Sequence, residues 1–313
     1  LSAMNSILRR KDVIVVSSVS CIYNVGDPQN YENLSETVMT KEELPISDLS
    51  RSLIEMQYVR EDYSVSGTFR IKGDIVEIYP PYEEYEIRLE YYGDNIETIS
   101  LLDPLTKKKF DEVREIAIYP AKNFVVPGDL IPPVIEQIKD DLVKRVKQLK
   151  SMGKDLELQR LTQKTQYDIE MLENVGYCSG IENYSKYFDG RETGDPPYTL
   201  LDYFPKDYLM IIDESHMTIP QVGAMSGGDY SRKKNLVDFG FRLPSAMDNR
   251  PLNFEEFEKR MGITIYTSAT PAEWEMKRSK GKIAEQVIRP TGLLDPTVEI
   301  RPTENQIDDV IEE

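Results

Sequence analysis

Hydrophobic and polar positions along the chain change period several times. Lys11–Val19 is a β-branched run that ends in small hydroxyl residues, the pattern of a buried parallel strand. Gly26-Asp27-Pro28 breaks it. Between Ser47 and Val59, apolar Leu49, Leu53, Ile54 and Met56 predict a short amphipathic helix capped by Ser47 or Asp48. From Gly67 to about Phe124 the period becomes two. Gly67–Gly73 alternates, Ile75–Tyr79 resumes after a Gly-Asp bulge or turn, and Tyr85–Tyr91 alternates again. Gly93-Asp94 turns the chain, and Glu115–Tyr119 adds a further strand. This is an antiparallel meander with one wet face, set into an α/β surround.

Helical period returns from Val134 to Glu173, with Ile135, Ile138, Leu142, Val146 and Leu149 on one face and Gly153 dividing two helices. Gly176–Gly194 reads as loop with short elements. Leu209–Ile212 is a four-residue apolar run, predicted as a strand covered on both faces, and it stops at two acids, Asp213 and Glu214. A Gly-rich connection is expected over Gly223–Asp229, a helix over Phe254–Met261 and a strand over Ile263–Thr267. The polar end, Glu304–Glu313, looks truncated.

Composition narrows the classes. A net charge of −17 over 313 residues argues against a nucleic-acid surface spread over the whole molecule but allows a local basic groove. Two distant cysteines, Cys21 and Cys178, have no metal-ligand spacing and read as cytosolic thiols, and one histidine supports neither a zinc site nor a serine-type triad. No apolar stretch approaches the roughly 20 residues needed to cross a bilayer, so no membrane partner is expected and the location is cytoplasmic. The start lacks signal-peptide organisation and an initiator Met, so a piece of a longer protein is expected.

Acids at the C-terminal end of a parallel strand suit a nucleotide hydrolase: Asp213 to hold magnesium, directly or through water, and Glu214 to orient or deprotonate the attacking water. His216 stands two residues on. Some fifty residues later a second apolar strand runs into Thr267-Ser268-Ala269-Thr270, whose small hydroxyl side chains can bridge to an adjacent strand's acids, with Ser268 and Thr270 as the site candidates. The "DESH" and "SAT" pair resembles motifs II and III of superfamily 2 helicases, which implies a RecA-like P-loop NTPase domain, ATP and magnesium. Yet no G-x-x-x-x-G-K-[ST] loop occurs to cradle phosphates, so ATP is expected to bind poorly to this chain alone.

Longer stretches narrow the family. "DVIVVSSVSCIY" (Asp12–Tyr23), "GTFRIKGDIVEIYP" (Gly67–Pro80), "YCSGIENYS" (Tyr177–Ser185), "PYTLLDYFP" (Pro197–Pro205), "DFGFRLPSAMDNRPLNFEEFE" (Asp238–Glu258) and "RPTGLLDP" (289–296) closely resemble the UvrB family of nucleotide excision repair. The resemblance implies a RecA-like domain 1a segment (1–31), a β-rich UvrA-interaction domain 2 (32–127), a mainly helical domain 1b (128–205), a return to 1a (206–289) and a truncated start of domain 3 (290–313). It implies that the phosphate loop and DNA-threading hairpin precede this stretch in the family and that the second RecA-like domain follows it. The implied activity is ATP-dependent damage verification in the UvrABC excision nuclease, with UvrA loading, UvrC recruitment and damaged DNA, single-stranded and duplex, as ligand. This chain by itself is expected to be ATPase-incompetent.

For UvrA docking the resemblance points to Arg60, Arg70, Lys72, Arg88 and Glu90, and the same domain is a meeting point with transcription-repair coupling factor. Alternation places Arg70 and Lys72 opposite Phe69 and Ile71, and Arg88 and Glu90 opposite Ile87 and Leu89. Lys72 replaces a frequent Arg, which loses the bidentate fork. Asn24 replaces a usual Gly, the least costly exchange if that backbone needs positive φ. For DNA, the stacking-and-phosphate candidates are Tyr177, Asn183, Tyr184 and Lys186, with Arg160, Lys164 and Tyr167 at helical spacing beside them. The alternatives are an isolated UvrA-binding module or another superfamily 2 protein, such as a coupling factor.

Overall fold

The computed structural model describes residues 1–288, 292 and 296–313, so most of the "RPTGLLDP" stretch, and with it the opening of the expected 290–313 segment, lies outside the described residues. The chain forms two units, Leu1–Pro271 and Ala272–Glu313. The second holds α9 (Glu273–Ser279) and α10 (Gln306–Glu312). All that follows concerns the first.

It opens with α1 (Ser2–Arg9), α2 (Pro28–Asn33), β1 (Glu36–Met39) and α3 (Ile46–Glu55). Strands β2 (Val59–Arg60), β3 (Thr68–Lys72), β4 (Ile75–Tyr79), β5 (Glu86–Tyr92), β6 (Asn95–Leu102) and β7 (Lys109–Val113) then form one six-stranded sheet in chain order. Only β2–β3 is parallel. Period two buries Phe69, Val76, Ile78, Ile87, Leu89, Ile96 and Ile99 on one face, where Leu49, Leu53 and Met56 from α3 and its end complete the core. The Gly-Asp step is a two-residue hairpin turn, since Lys72 pairs with Ile75, and the bulge lies instead between Glu90 and Tyr91. β8 (Glu115–Ile118) leaves the meander to pair antiparallel with β1. Neither Ser47 nor Asp48 caps α3: Pro45 is the N-cap and its carbonyl takes the first N–H groups, which leaves Asp48 in the first turn, where a carboxylate suits the helix dipole.

The helical part pairs α4 (Ile131–Ser151) with α5 (Asp155–Val175), joined through Gly153 as the spacing predicts. Their apolar faces enclose Cys178, Ile181, Tyr184, Tyr187, Phe188 and Leu243, including α6 (Ser185–Phe188). Burial pushes the Cys178 thiol up to about 12, so it stays protonated and inert. A tyrosine joint ties α1 and α2 to the β-rich part. Tyr31 Oη donates to Asn5 Oδ1 (2.7 Å), Tyr58 Oη to the Tyr119 carbonyl (2.9 Å), and the Tyr119 N–H to Tyr82 Oη (2.7 Å).

Three expectations fail here. Lys11–Val19 is not a strand: Val13 and Val15 pack inward, but Ile14 and Val16 are 93% and 95% exposed. β9 (Leu209–Ile212) and β10 (Ile263–Tyr266) do pair in parallel, but as two strands only, with Leu209, Ile211, Ile263 and Ile265 exposed on one side. A strand covered on both faces needs layers above and below it and neighbours at both edges; the described residues supply neither set in full. The expected Gly-rich connection is part of α7 (Ser215–Asp238), which runs through Pro220, Gly223, Gly227 and Gly228. The helix-breaking cost of those residues is offset by burial of Ile219, Val222 and Val237 and by buried Asp229, which accepts from Lys233 one turn on (2.9 Å). The condition raised for Asn24 does not arise: Gly26 carries the positive φ, and Asn24 Oδ1 accepts from the Gly26 N–H (3.2 Å).

Just past the end of α7 stands Gly240 (φ +70°), where a Cβ would lie 2.3 Å from the Glu157 carbonyl oxygen of α5. Gly190 has a similar φ of +62° and open space around it. Gly240→Ala is therefore expected to destabilise the chain by about 2–4 kcal/mol, against about 1 kcal/mol for Gly190→Ala, measured by denaturant unfolding. Equal losses would show that the α5–α7 contact yields without cost.

Candidate functional site

Three clusters carry charge or hydrogen-bonding chemistry at accessible places. The first is on the polar face of the sheet. Register sets Arg70 of β3, Glu77 of β4 and Arg88 of β5 in one cross-strand row. Arg70 Nε donates to Glu77 Oε2, and Arg88 donates to Glu77 Oε1 through Nε (2.9 Å) and Nη2 (2.6 Å). Glu77 is 6% exposed. Burial pushes its carboxyl up, but the hydrogen bonds and charges of the two arginines outweigh that and hold it below the ordinary carboxylate value. Lys72 is exposed in the next row, and Glu90 accepts from Thr98 Oγ1 (3.0 Å). Arg60 stands apart: its partner is Phe69, so it belongs to the edge strand and not to the Arg70–Arg88 row.

A second carboxylate on this face, Glu86, is almost wholly buried and receives Ser64 Oγ and Lys107 Nζ, pinning two loops over the sheet. Both acids face outward by alternation, yet long basic side chains and loops shield them from water. Period two marks the side of the sheet; it does not report that cover.

The second cluster lies where β9 and β10 end. The Thr267 N–H donates to the Ile212 carbonyl (3.0 Å) and the Ser215 N–H to the Thr267 carbonyl (3.0 Å), which continues the ladder into the turn. Thr267 Oγ1 donates to Asp213 Oδ1 (2.6 Å), Ser268 Oγ bonds His216 Nδ1 (2.8 Å), and the Thr270 N–H donates to Ser268 Oγ (3.1 Å). Glu214 Oε2 is 3.4 Å from His216 Nδ1. Glu214 itself takes a left-handed backbone (φ +45°) as N-cap of α7, an uncommon conformation for a non-glycine residue. All five expected residues therefore meet at one strand end, Thr270 through its backbone. Thr267, the first hydroxyl of the tetrapeptide expected to bridge, makes the direct link to Asp213.

For a magnesium nucleotide, Asp213 and Glu214 offer exposed carboxylates of the right chemistry but only one wall of a site. Among the described residues, no group of three or more His, Cys, Asp or Glu side chains could hold a metal ion by itself. No phosphate-cradling loop occurs in the sequence, so no chemical step is assigned to these residues alone.

The third cluster is helical. Tyr184 is buried, and its hydroxyl donates to Asp168 (2.8 Å), so its ring has no face to offer a base. Lys164 is bonded to the same Asp168. Lys186 is largely buried, 3.1 Å from Thr193 Oγ1 and within 4 Å of Asp141 and Asp248. Asn183 donates to the Gly180 carbonyl (2.8 Å), and Tyr177 lies under Lys122 Nζ at 3.5 Å. Of the expected residues Tyr167 is exposed and Arg160 partly so. Arg160 donates to the Phe239 carbonyl (2.6 Å) and sits 4.2 Å from the centre of the Phe241 ring; Lys154 stands near Phe239 at 5.9 Å. Phe239, Phe241 and Tyr167 are each about half exposed. Sequence reasoning passed over both phenylalanines because they flank a glycine in a loop without periodicity.

Comparison with known proteins follows the same division. Residues 37–124 match a family described as the UvrB interaction domain, and residues 130–190 one described as the UvrB third helical domain. UvrABC system protein B of Corynebacterium diphtheriae is 53% identical over 312 residues, covering 99% of this chain and 46% of that protein. The same-named protein of Kosmotoga olearia is 53% identical over 315 residues (100% and 47%), and that of Mycobacterium bovis 52% over 313 residues (100% and 44%). The chain spans about half the length of the curated relatives it matches. Identity at this level along the whole chain, with both domain families in order, means that the chain belongs to the UvrB family.

Proposed function

We propose that the chain acts as UvrB in nucleotide excision repair and that its β-rich part docks UvrA. The observation that carries this is the outward Arg70–Glu77–Arg88 row, with Lys72 and Glu90 beside it, inside the stretch that matches the UvrB interaction domain. Ordered guanidinium groups on a rigid sheet suit an acidic partner surface and set its orientation and approach rate. In the whole protein, Asp213 and Glu214 would hold magnesium and the attacking water of a RecA-like ATPase. Thr267, Ser268 and His216 would tie that strand end to its neighbour. ATP-driven verification, UvrC recruitment, a cytoplasmic location and contact with transcription-repair coupling factor belong to the same reading. The helical part would meet single-stranded DNA through Arg160, Phe239, Phe241 and Tyr167, where cations and exposed rings lie side by side. No helix among the described residues is long and apolar enough to cross a membrane.

Charge reversal at Arg70 and Arg88 would set two acids beside buried Glu77, so neutral variants test the docking face better. Arg70→Gln with Arg88→Gln should lower UvrA affinity by about 30-fold or more with the fold kept, read by titration and circular dichroism. Undiminished binding would remove this face from the interface.

Phe241→Ala and Arg160→Ala should each weaken single-stranded DNA binding by about 5-fold or more in low salt, read by fluorescence anisotropy. Equal binding by the variants would place the DNA elsewhere. ATP turnover by this chain with UvrA and damaged DNA is expected to be nil; clear turnover would contradict the half-site reading.

A further inference from the structure

Glu77 has two bonding partners among the ions of this face, and they are the two arginines of the proposed docking row. Glu86 differs: it holds a loop at Ser64 and a turn at Lys107, a structural task. Among the described residues, no loop is bonded to the Glu77 carboxylate. Arg70 and Arg88 stand on β3 and β5, with β4 between them, so their backbones are about 10 Å apart. Arg70 turns its Nε edge inward to Glu77, and Arg88 its Nε and Nη2. Their side chains are 18% and 28% exposed, against 6% for Glu77, so the carboxylate lies beneath and the guanidinium groups above.

We infer that Glu77 is a positioning residue, which holds Arg70 and Arg88 side by side so that their outward N–H groups meet an acidic partner surface already oriented. The inference rests on the docking reading above. Two like charges in one row, one strand apart, repel, and long arginine side chains without an anchor sample many rotamers, freedom that docking must then remove. One carboxylate between them cancels the repulsion and fixes both planes. It leaves one net positive charge on the trio. A buried ion cluster is a poor source of stability compared with apolar packing, which favours a role for this one beyond the fold.

The test uses this chain with Glu77→Gln, which keeps size and one acceptor and loses the charge. Nitrogen-15 NMR of the arginine Nε–Hε groups should show resolved Arg70 and Arg88 signals in the parent. In the variant they should collapse to the position of exposed arginines while the backbone spectrum of the sheet persists. UvrA affinity should fall about 5- to 10-fold, mainly through faster dissociation, and the effect should vanish when Arg70→Gln and Arg88→Gln are already present. A purely structural role would lower affinity in both backgrounds and leave the arginine signals in step with the backbone. Unchanged arginine signals or unchanged affinity would overturn the inference.

If Glu77→Gln unfolds the sheet, Glu77→Asp is the second variant, since it keeps the charge but falls short of both guanidinium groups. It too should release the arginine signals and weaken binding, and parent-like affinity would overturn the inference. Should Arg70→Gln with Arg88→Gln leave UvrA binding intact, the docking reading itself falls. Should that pair weaken binding while Glu77→Gln does not, only the positioning role falls.

Discussion

Burial of the sheet's inner face against α3 is the constraint on which the β-rich part depends. Phe69, Val76, Ile78, Ile87, Leu89, Ile96 and Ile99 have to reach Leu49, Leu53 and Met56, and alternation then leaves Arg70, Glu77 and Arg88 no choice of side. A one-residue slip would exchange core for charge along a whole strand. The polar face is thus a by-product of core packing. Its internal order comes from a carboxylate placed between two arginines, where cross-strand neighbours lie close enough to bond.

That face was legible because two independent rules agree on it, period two and the Gly-rich hairpin turns. The remaining strands were harder. β7 is exposed along most of its length, so it carries no hydrophobic alternation to detect. β8 has the right alternation but joins β1, a pairing fixed by tertiary contacts and not by local pattern. The shielding of Glu77 and Glu86 also escaped, since it comes from side chains and loops brought over the sheet by the fold. Burial of a strand face is in the pattern; burial of a charge is in the assembly.

The strand-end cluster shows the opposite balance. Asp213, His216 and the hydroxyl tetrapeptide could be found from type and spacing alone, and the structure brings them within hydrogen-bonding reach. What misled was the environment assigned to the strands. Apolar runs such as Leu209–Ile212 say that a face is meant to be covered, not that these 313 residues cover it. In α7 the glycines suggested a loop, but an i,i+4 buried ion pair and the apolar positions around it outweighed propensity. Tyrosine content misled in part in the helical region: Tyr184 is buried and bonded, and Tyr167 shares its exposure with the phenylalanines beside Gly240.

The central claim is that the polar face of the sheet, and not the helical part, meets UvrA. Photo-cross-linking tests it most directly. A benzophenone amino acid replaces Lys72 on the polar face in one sample and Leu156, exposed on α5, in another. The account predicts a UvrA cross-link from position 72 and none from position 156. A cross-link from position 156 with none from position 72 would contradict it.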